Sequence, residues 1–290
     1  MNCRPGSVLR LGTSALLSLA VLSAVAQGYP AKPIRTIITY AGGAEPIARI
    51  IAQKMSDSMG QPVLIEAMTG ANGAVGAMTA ARAAPDGYTI LASTGATQII
   101  RGFLVKNVPY DPFKDFVPLA HTFDAVSVIV AHPDAPATFR GLLEFAKQNP
   151  GRISYGTTGV GSAYHMAVEL VHMLTGVEMV HVPYKAGPQS ITDLVAGRVQ
   201  VSLSVYATTV AFVTAGKIRN LAVINDRRFS RIPEVPAVRE FVPGFESPPL
   251  WGGYFGPAGL PAPIAERLTA EILKALSLPE VRARMEDVGL

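Results

Sequence analysis

Apolar and polar positions along this chain alternate between two periods, one of about two residues and one of about 3.6. Residues 34–39 (IRTIIT) are a β-branched run, and 44–59 follow with Ile47, Ile50, Ile51 and Met55 at helical spacing. Residues 62–67 read as a second strand, 74–84 as an alanine-rich helix, 85–87 (PDG) as a turn and 88–93 as a third strand. The order then repeats. Strands are expected at 127–131, 153–155, 179–184, 199–205 and 218–224, and helices at 139–148, 162–174, 189–196 and 208–215. Gly216 closes the last of these helices. Strand, helix, strand, helix is the signature of α/β units with largely parallel sheets covered on both faces. Beyond Asn225 prolines punctuate the text, and it reads as an ordered surface wrap. One amphipathic helix (264–276) follows, with Ile264, Leu268, Ile272 and Leu276 on a stripe, then a shorter one over 281–288.

Length changes this picture from one unit to two, because 290 residues exceed what a single core usually holds. Hydrophobic residues are 49% and charged residues 16% of the chain, enough apolar material for two cores. The formal charge is +4, and no basic run exceeds Arg227-Arg228, so nucleic acid is not an expected partner. Arg4 and Arg10 precede an apolar stretch over 11–25 that ends in Ala24-Val25-Ala26, the pattern of a cleavable secretory signal over 1–26. No later stretch reaches the ~20 apolar residues of a membrane span. Cys3, the one cysteine, lies inside that signal. The mature chain is therefore expected to have no disulfide, no thiol nucleophile and no thiolate metal site. The expected compartment is a bacterial periplasm.

Candidate chemistry lies where strands run into helices, the usual ligand position in open parallel sheets. Four such loops are small, glycine-rich and hydroxyl-bearing: 40–44 (YAGGA), 93–97 (STGAT), 156–162 (GTTGVGS) and 185–188 (KAGP). Glycine lets backbone N–H groups approach a ligand, and each helix N-terminus adds about half a positive charge. Ser and Thr add adjustable donors. One such loop is ordinary turn chemistry; their recurrence in both halves points to a bound small anion. Enzyme signatures are missing: there is no G-x-S-x-G elbow, Walker A loop or H-E-x-x-H helix. His165 and His172 share a helical face without the ligand spacing of zinc sites and read as packed or capping residues. Asp111 and Asp115 flank Pro112 and read as turn and cap residues, and Trp251, Tyr254 and Phe255 read as a buried aromatic plug or a cleft wall, the plug being the favoured reading. No catalytic residue, metal or cofactor is expected.

Taken together, YPAKPIRTIITYAGGAEPIAR, MGQPVLIEAMTGANGAVGA, ARAAPDGYTIL, VPYDPFKDFVPLA, NPGRISYGTTGVGSAYHMAVELV, HVPYKAGPQSITDLVAGRVQV and AGKIRNLAV resemble the tripartite tricarboxylate transporter substrate-binding receptors, also called Bug receptors. The likeness runs in order over nearly all of the mature chain. It implies a type II periplasmic binding protein fold, two α/β domains with a ligand cleft between them, joined by crossing strands. It implies a small carboxylate held by loop amides, hydroxyls and waters, and a two-component membrane permease as partner. Position by position, the ligand loops it implies are Tyr40, Ala41, Gly42 and Gly43; Ser93, Thr94, Gly95 and Thr97; and Thr157, Thr158, Gly159, Gly161 and Ser162 with His165. Tyr184 and Lys185 match a strand-end tyrosine and basic residue, and Ser204 stands where the family usually has an acid. The first loop departs too, since Ala41 precedes Gly42-Gly43 and Ala44-Glu45-Pro46 follows without the family's aspartate. The family also continues beyond the position of Leu290 through a further strand and helix.

The domains expected on this basis are 27–127 with 222–290, and 128–221. The expected function is a monomeric periplasmic receptor that captures a small organic anion and delivers it to a transporter. A binding module for a sensor, or a non-transporting paralogue, is the alternative.

Overall fold

The structure is a computed structural model, which describes residues 28–248 and 250–290; the expected signal peptide lies outside them. Its elements follow the alternation of periods. The first lobe contains β1 (Ile34–Ile38), α1 (Glu45–Met59), β2 (Val63–Ala67), α2 (Ala74–Ala81) and β3 (Thr89–Thr94). A π-helical turn (Ala96–Ile100) then leads into the short α3 (Arg101–Leu104), and β4 (Phe116–Asp124) ends this part. The second lobe contains β5 (Ser127–Ala131), α4 (Phe139–Gln148), β6 (Ser154–Thr157), α5 (Ala163–Thr175), β7 (Val180–Pro183), α6 (Gly187–Val195), β8 (Val201–Val205), α7 (Tyr206–Thr214) and β9 (Arg219–Val223). Finally come β10 (Trp251–Pro257), α8 (Ala262–Ser277) and α9 (Pro279–Asp287).

The two five-stranded sheets are built alike. Their orders are β2-β1-β3-β10-β4 and β7-β6-β8-β5-β9. In each, three strands run parallel and the fourth, β10 or β5, is antiparallel to its neighbours. That antiparallel strand is the one that arrives from the other lobe, so the lobes are joined by crossing strands. The crossings are tied together: Ala125 N–H donates to the Leu250 carbonyl at 2.6 Å, and Asn225 Nδ2 donates to the Ala125 carbonyl at 2.8 Å. The Val126 N–H beside them donates to the Gly289 carbonyl at 2.6 Å, which seats the end of α9 against the crossing.

Burial explains why these segments take these forms. All five residues of β5 are buried, as expected of a strand covered on both faces. Helix α1 buries Ile47, Ala48, Ile51, Ala52, Met55 and Met59 on one stripe and stops at Gly60, whose φ of 70° a side chain would resist. Ile264, Leu268 and Ile272 of α8 complete the same core, each about 1.5–3 kcal/mol of apolar burial. The other face of the first sheet is closed by α2 with Tyr110 and Phe116. In the second lobe α4 and α5 cover one face and α6 with Tyr206 the other.

Three readings of the sequence differ from what is observed. β4 and β10 are strands that its pattern did not announce: β4 carries Pro118, tolerated because β4 is an edge strand, and β10 contains three glycines. Gly252 is there for space, since a Cβ would fall inside the Phe123 ring on β4. The return to the first lobe comes later than 222. β9 belongs to the second sheet, and the proline-rich wrap stays on that lobe by burying Val238, Val242 and Phe245 in its core. Helices α6 and α7 each begin two residues early, at Gly187 and at Tyr206, the latter directly from the end of β8.

Candidate functional site

A cleft of about 140 Å³ lies between the lobes and is lined from both. Six strand-to-helix junctions reach it. The first lobe sends Tyr40, Ala41 and Ala44 from β1–α1, Thr69 and Asn72 from β2–α2, and Thr94 and Ala96 from the end of β3. The second sends Thr158, Ser162 and Ala163 from β6–α5, residues 185–188 from β7–α6, and Ser204, Val205 and Thr208 from β8–α7. The crossing strands close the back with Phe123, Ala125, Leu250 and Trp251, and Tyr164 of α5 adds a further wall.

Among the described residues Lys185 is the only charged side chain in this lining, and there is no acid. The N-terminal turns of α1, α5, α6 and α7 all contribute residues, so their partial positive charges face the same small space. At α5 the cap is Ser162, whose Oγ accepts the His165 N–H at 3.2 Å. Its own proton is thereby left available for a ligand. The arrangement suits an anion, held by hydroxyls and amides with one ammonium group nearby.

Of the expected site residues, Tyr40, Ala41, Thr94, Thr158, Ser162, Lys185 and Ser204 line the cleft. The others stand behind it or beside it. Gly42 and Gly43 are the contact between lobes: a Cβ on Gly43 would lie 2.7 Å from Ala207 Cβ, and one on Gly42 would lie 3.5 Å from Thr208 Oγ1. Gly161 meets Leu104 in the same way, at 2.9 Å from Cδ1. The lobes are therefore closed on each other. Ser93 is buried and shares a 3.0 Å hydrogen bond with Thr39, which lines the cleft. Gly95 caps the π-helical turn, and Thr97 Oγ1 donates to the Asn72 carbonyl at 3.1 Å, fixing the neighbouring loop. Tyr184 OH donates to Asp193 at 2.9 Å and so turns away from the cleft.

The 157–165 segment is braced from behind. Gly159 and Gly161 take φ values of 113° and 75°, which favour glycine. Gly161 N–H donates to His165 Nδ1 at 3.2 Å, which places the proton of a neutral His165 on Nε2, toward Glu169 Oε1 at 3.7 Å. Thr157, fully buried, shares a 2.7 Å hydrogen bond with His181 Nε2. The His181 ring stacks on His165 at 4.2 Å and on Tyr155 at 5.0 Å. Burial, and then the neighbouring His165, lower the His181 pKa to about 4, so it is neutral at ordinary pH. His165 is thus a support of the loop, and His172 packs edge-on to Tyr155, in line with the packed reading. Among the described residues no group of three or more His, Cys, Asp or Glu is placed to hold a metal. No described helix is long and apolar enough to cross a membrane.

Sequence reasoning missed Thr69, Asn72 and Thr208 and, of the back wall, Phe123, Ala125 and Leu250. The first two lie in TGANG, a loop of the same glycine-rich kind that it had singled out elsewhere. Of the two readings of WGGYFGP, Trp251 takes the cleft wall rather than the favoured core, being half-buried and lining the cleft, while Tyr254 is buried. The pattern does not separate the two readings, because WGGYFGP lacks strand alternation.

The family model described as the tripartite tricarboxylate transporter family receptor matches residues 47–290. The chain belongs to this family. The receptor is similar to the UPF0065 protein in the tcbD-tcbE intergenic region of Pseudomonas sp. (strain P51), 37% identical over 270 residues, 90% of this chain and 79% of that one. Among solved structures it is similar to the periplasmic binding protein BugD, at 30% identity and TM-score 0.83, over 90% of this chain and 88% of that one. It is similar to MatC from Rhodopseudomonas palustris with bound malate, at 29% identity and TM-score 0.83, over 90% of each chain. It is also similar to R. palustris Rpa4515 with adipate, at 27% identity and TM-score 0.85, over 90% of this chain and 88% of that one. The two-lobed fold is that of periplasmic binding proteins, and the family consists of solute-binding receptors, not enzymes.

Proposed function

We propose that this receptor captures a small organic carboxylate in the interlobe cleft and delivers it to a two-component membrane permease, working as a periplasmic monomer after removal of residues 1–26. The observation that carries the reading is the cleft itself: among the described residues, six strand-to-helix junctions, four helix N-termini, one lysine and no acid surround one small space. The adipate and malate held by two similar structures support the ligand class. The ligand-contacting residues on this reading are Tyr40, Ala41, Thr94, Thr158, Ser162, Lys185 and Ser204, with Thr69, Asn72 and Thr208 added.

A thermal-shift screen of the mature receptor against a carboxylate library tests the ligand class. Hits confined to carboxylates support it, and hits confined to amines or neutral sugars sink it. Mass spectrometry of exported protein should find Gln27 as the first residue; a chain still starting at Met1 would overturn the periplasmic assignment. For delivery, uptake of a hit into membrane vesicles carrying the permease should depend on added receptor.

A further inference from the structure

Beside the first lobe's Tyr40, Thr69, Asn72 and Thr94, the second lobe and the back wall ask different things of a ligand. On the second lobe Thr158, Ser204 and Thr208 line the space, and their hydroxyls make no hydrogen bond to protein among the described residues. A Cβ on Gly187, the first residue of α6, would lie 3.5 Å from Ser204 Oγ and 3.8 Å from Thr158 Cγ2. These hydroxyls, the α6 N-terminus and Lys185 thus form one anion-holding end. Ser204 adds no negative charge there.

The back wall is of another kind. Phe123, Ala125, Leu250 and Val205 bring no polar side-chain atom, and Trp251 brings only its indole N–H. Phe123 stands edge-on to Tyr40 at 6.0 Å, and Trp251 tilts against Phe255 at 6.4 Å, so the aromatic groups are held in place rather than free to swing away. A hydroxyl or second carboxylate laid on this wall would lose its water and find almost nothing to replace it, whereas a ring would find edge and face contacts.

We propose that the cleft selects aryl carboxylates, with the carboxylate at the Thr158–Ser204–Lys185 end and the ring against Phe123, Leu250 and Trp251. This rests on the carboxylate reading above and narrows it. Trp251 is the only tryptophan of the chain, so its emission reports on the wall directly. The experiment titrates the mature receptor with benzoate, phenylacetate, adipate and malate, by calorimetry and by tryptophan fluorescence. The better aryl ligand should bind at least about tenfold more tightly than malate or adipate and shift the Trp251 emission, a discrimination typical of one ring's burial. Malate or adipate binding as tightly as the better aryl acid would overturn the inference and leave the carboxylate reading intact. Binding by none of the four would also overturn it, and the library screen then decides the broader reading separately. In Trp251→Leu, checked for folding by circular dichroism, the preference for aryl acid over adipate should shrink about tenfold; an unchanged preference would remove the wall from the argument.

Discussion

Thr158 shows what a single hydroxyl can do here. It sits just past the end of β6, at the mouth of the loop that leads to the Ser162 cap, and faces the cleft without a protein partner. Thr158→Val keeps the shape and removes the donor. A hydrogen bond to a charged group is worth ~1.5–3 kcal/mol, so a carboxylate hit should bind about ten- to a hundredfold more weakly, as calorimetry would read. An unchanged constant would move the site elsewhere. Behind that loop, His181 makes a pH prediction. Its folded pKa is lowered to about 4, against an ordinary 6.5, by burial and by His165. Between those values the unfolded chain binds the extra proton, so stability falls as pH drops from about 6.5 toward 4 and this contribution levels off below. His181→Gln should flatten that part of a melting-temperature profile relative to the parent; parallel profiles would mean that His181 is not held neutral.

At the scale of elements, the hydrophobic pattern made most of the fold legible and left gaps that have reasons. Runs such as β1 and β5 and the stripe of α8 announce themselves because burial on defined faces dictates their residues. β4 and β10 did not, because an edge strand with Pro118 and a glycine-spaced strand fit their neighbours through space, not period. The same split runs through the site. Loops such as YAGGA and GTTGVGS are legible as chemistry, but which of their residues face a ligand depends on three-dimensional support. Thr157 and His165 brace the loop and Thr158 lines the cleft, although all three stood out equally in the sequence. Helix α8 allows a direct test of the stripe. Leu268 is fully buried and Leu273 half-exposed. Leu268→Ala should cost ~2–5 kcal/mol and Leu273→Ala under about 0.5 kcal/mol in urea denaturation. Equal costs would show that the helix is not seated as described.

For the whole molecule, the decisive feature is that the lobes meet through glycines. Gly43 in the first lobe lies so near α7 of the second that a Cβ would stand 2.7 Å from Ala207 Cβ, about 1 Å inside ordinary carbon contact. Gly43 itself is not in the left-handed backbone region, so alanine there carries no strain of its own. Gly43→Ala therefore leaves each lobe's core untouched and acts only when the lobes come together. Overpacking of this size costs ~1–3 kcal/mol, and it falls on the closed state alone. Ligand binding that depends on closure should then weaken about five- to a hundredfold, while the melting temperature of the free receptor stays nearly constant. Scattering from the ligand-saturated variant should give a larger radius of gyration than the saturated parent. If affinity and radius both match the parent, the cleft binds without closing, and the Gly43–Ala207 contact has no part in capture.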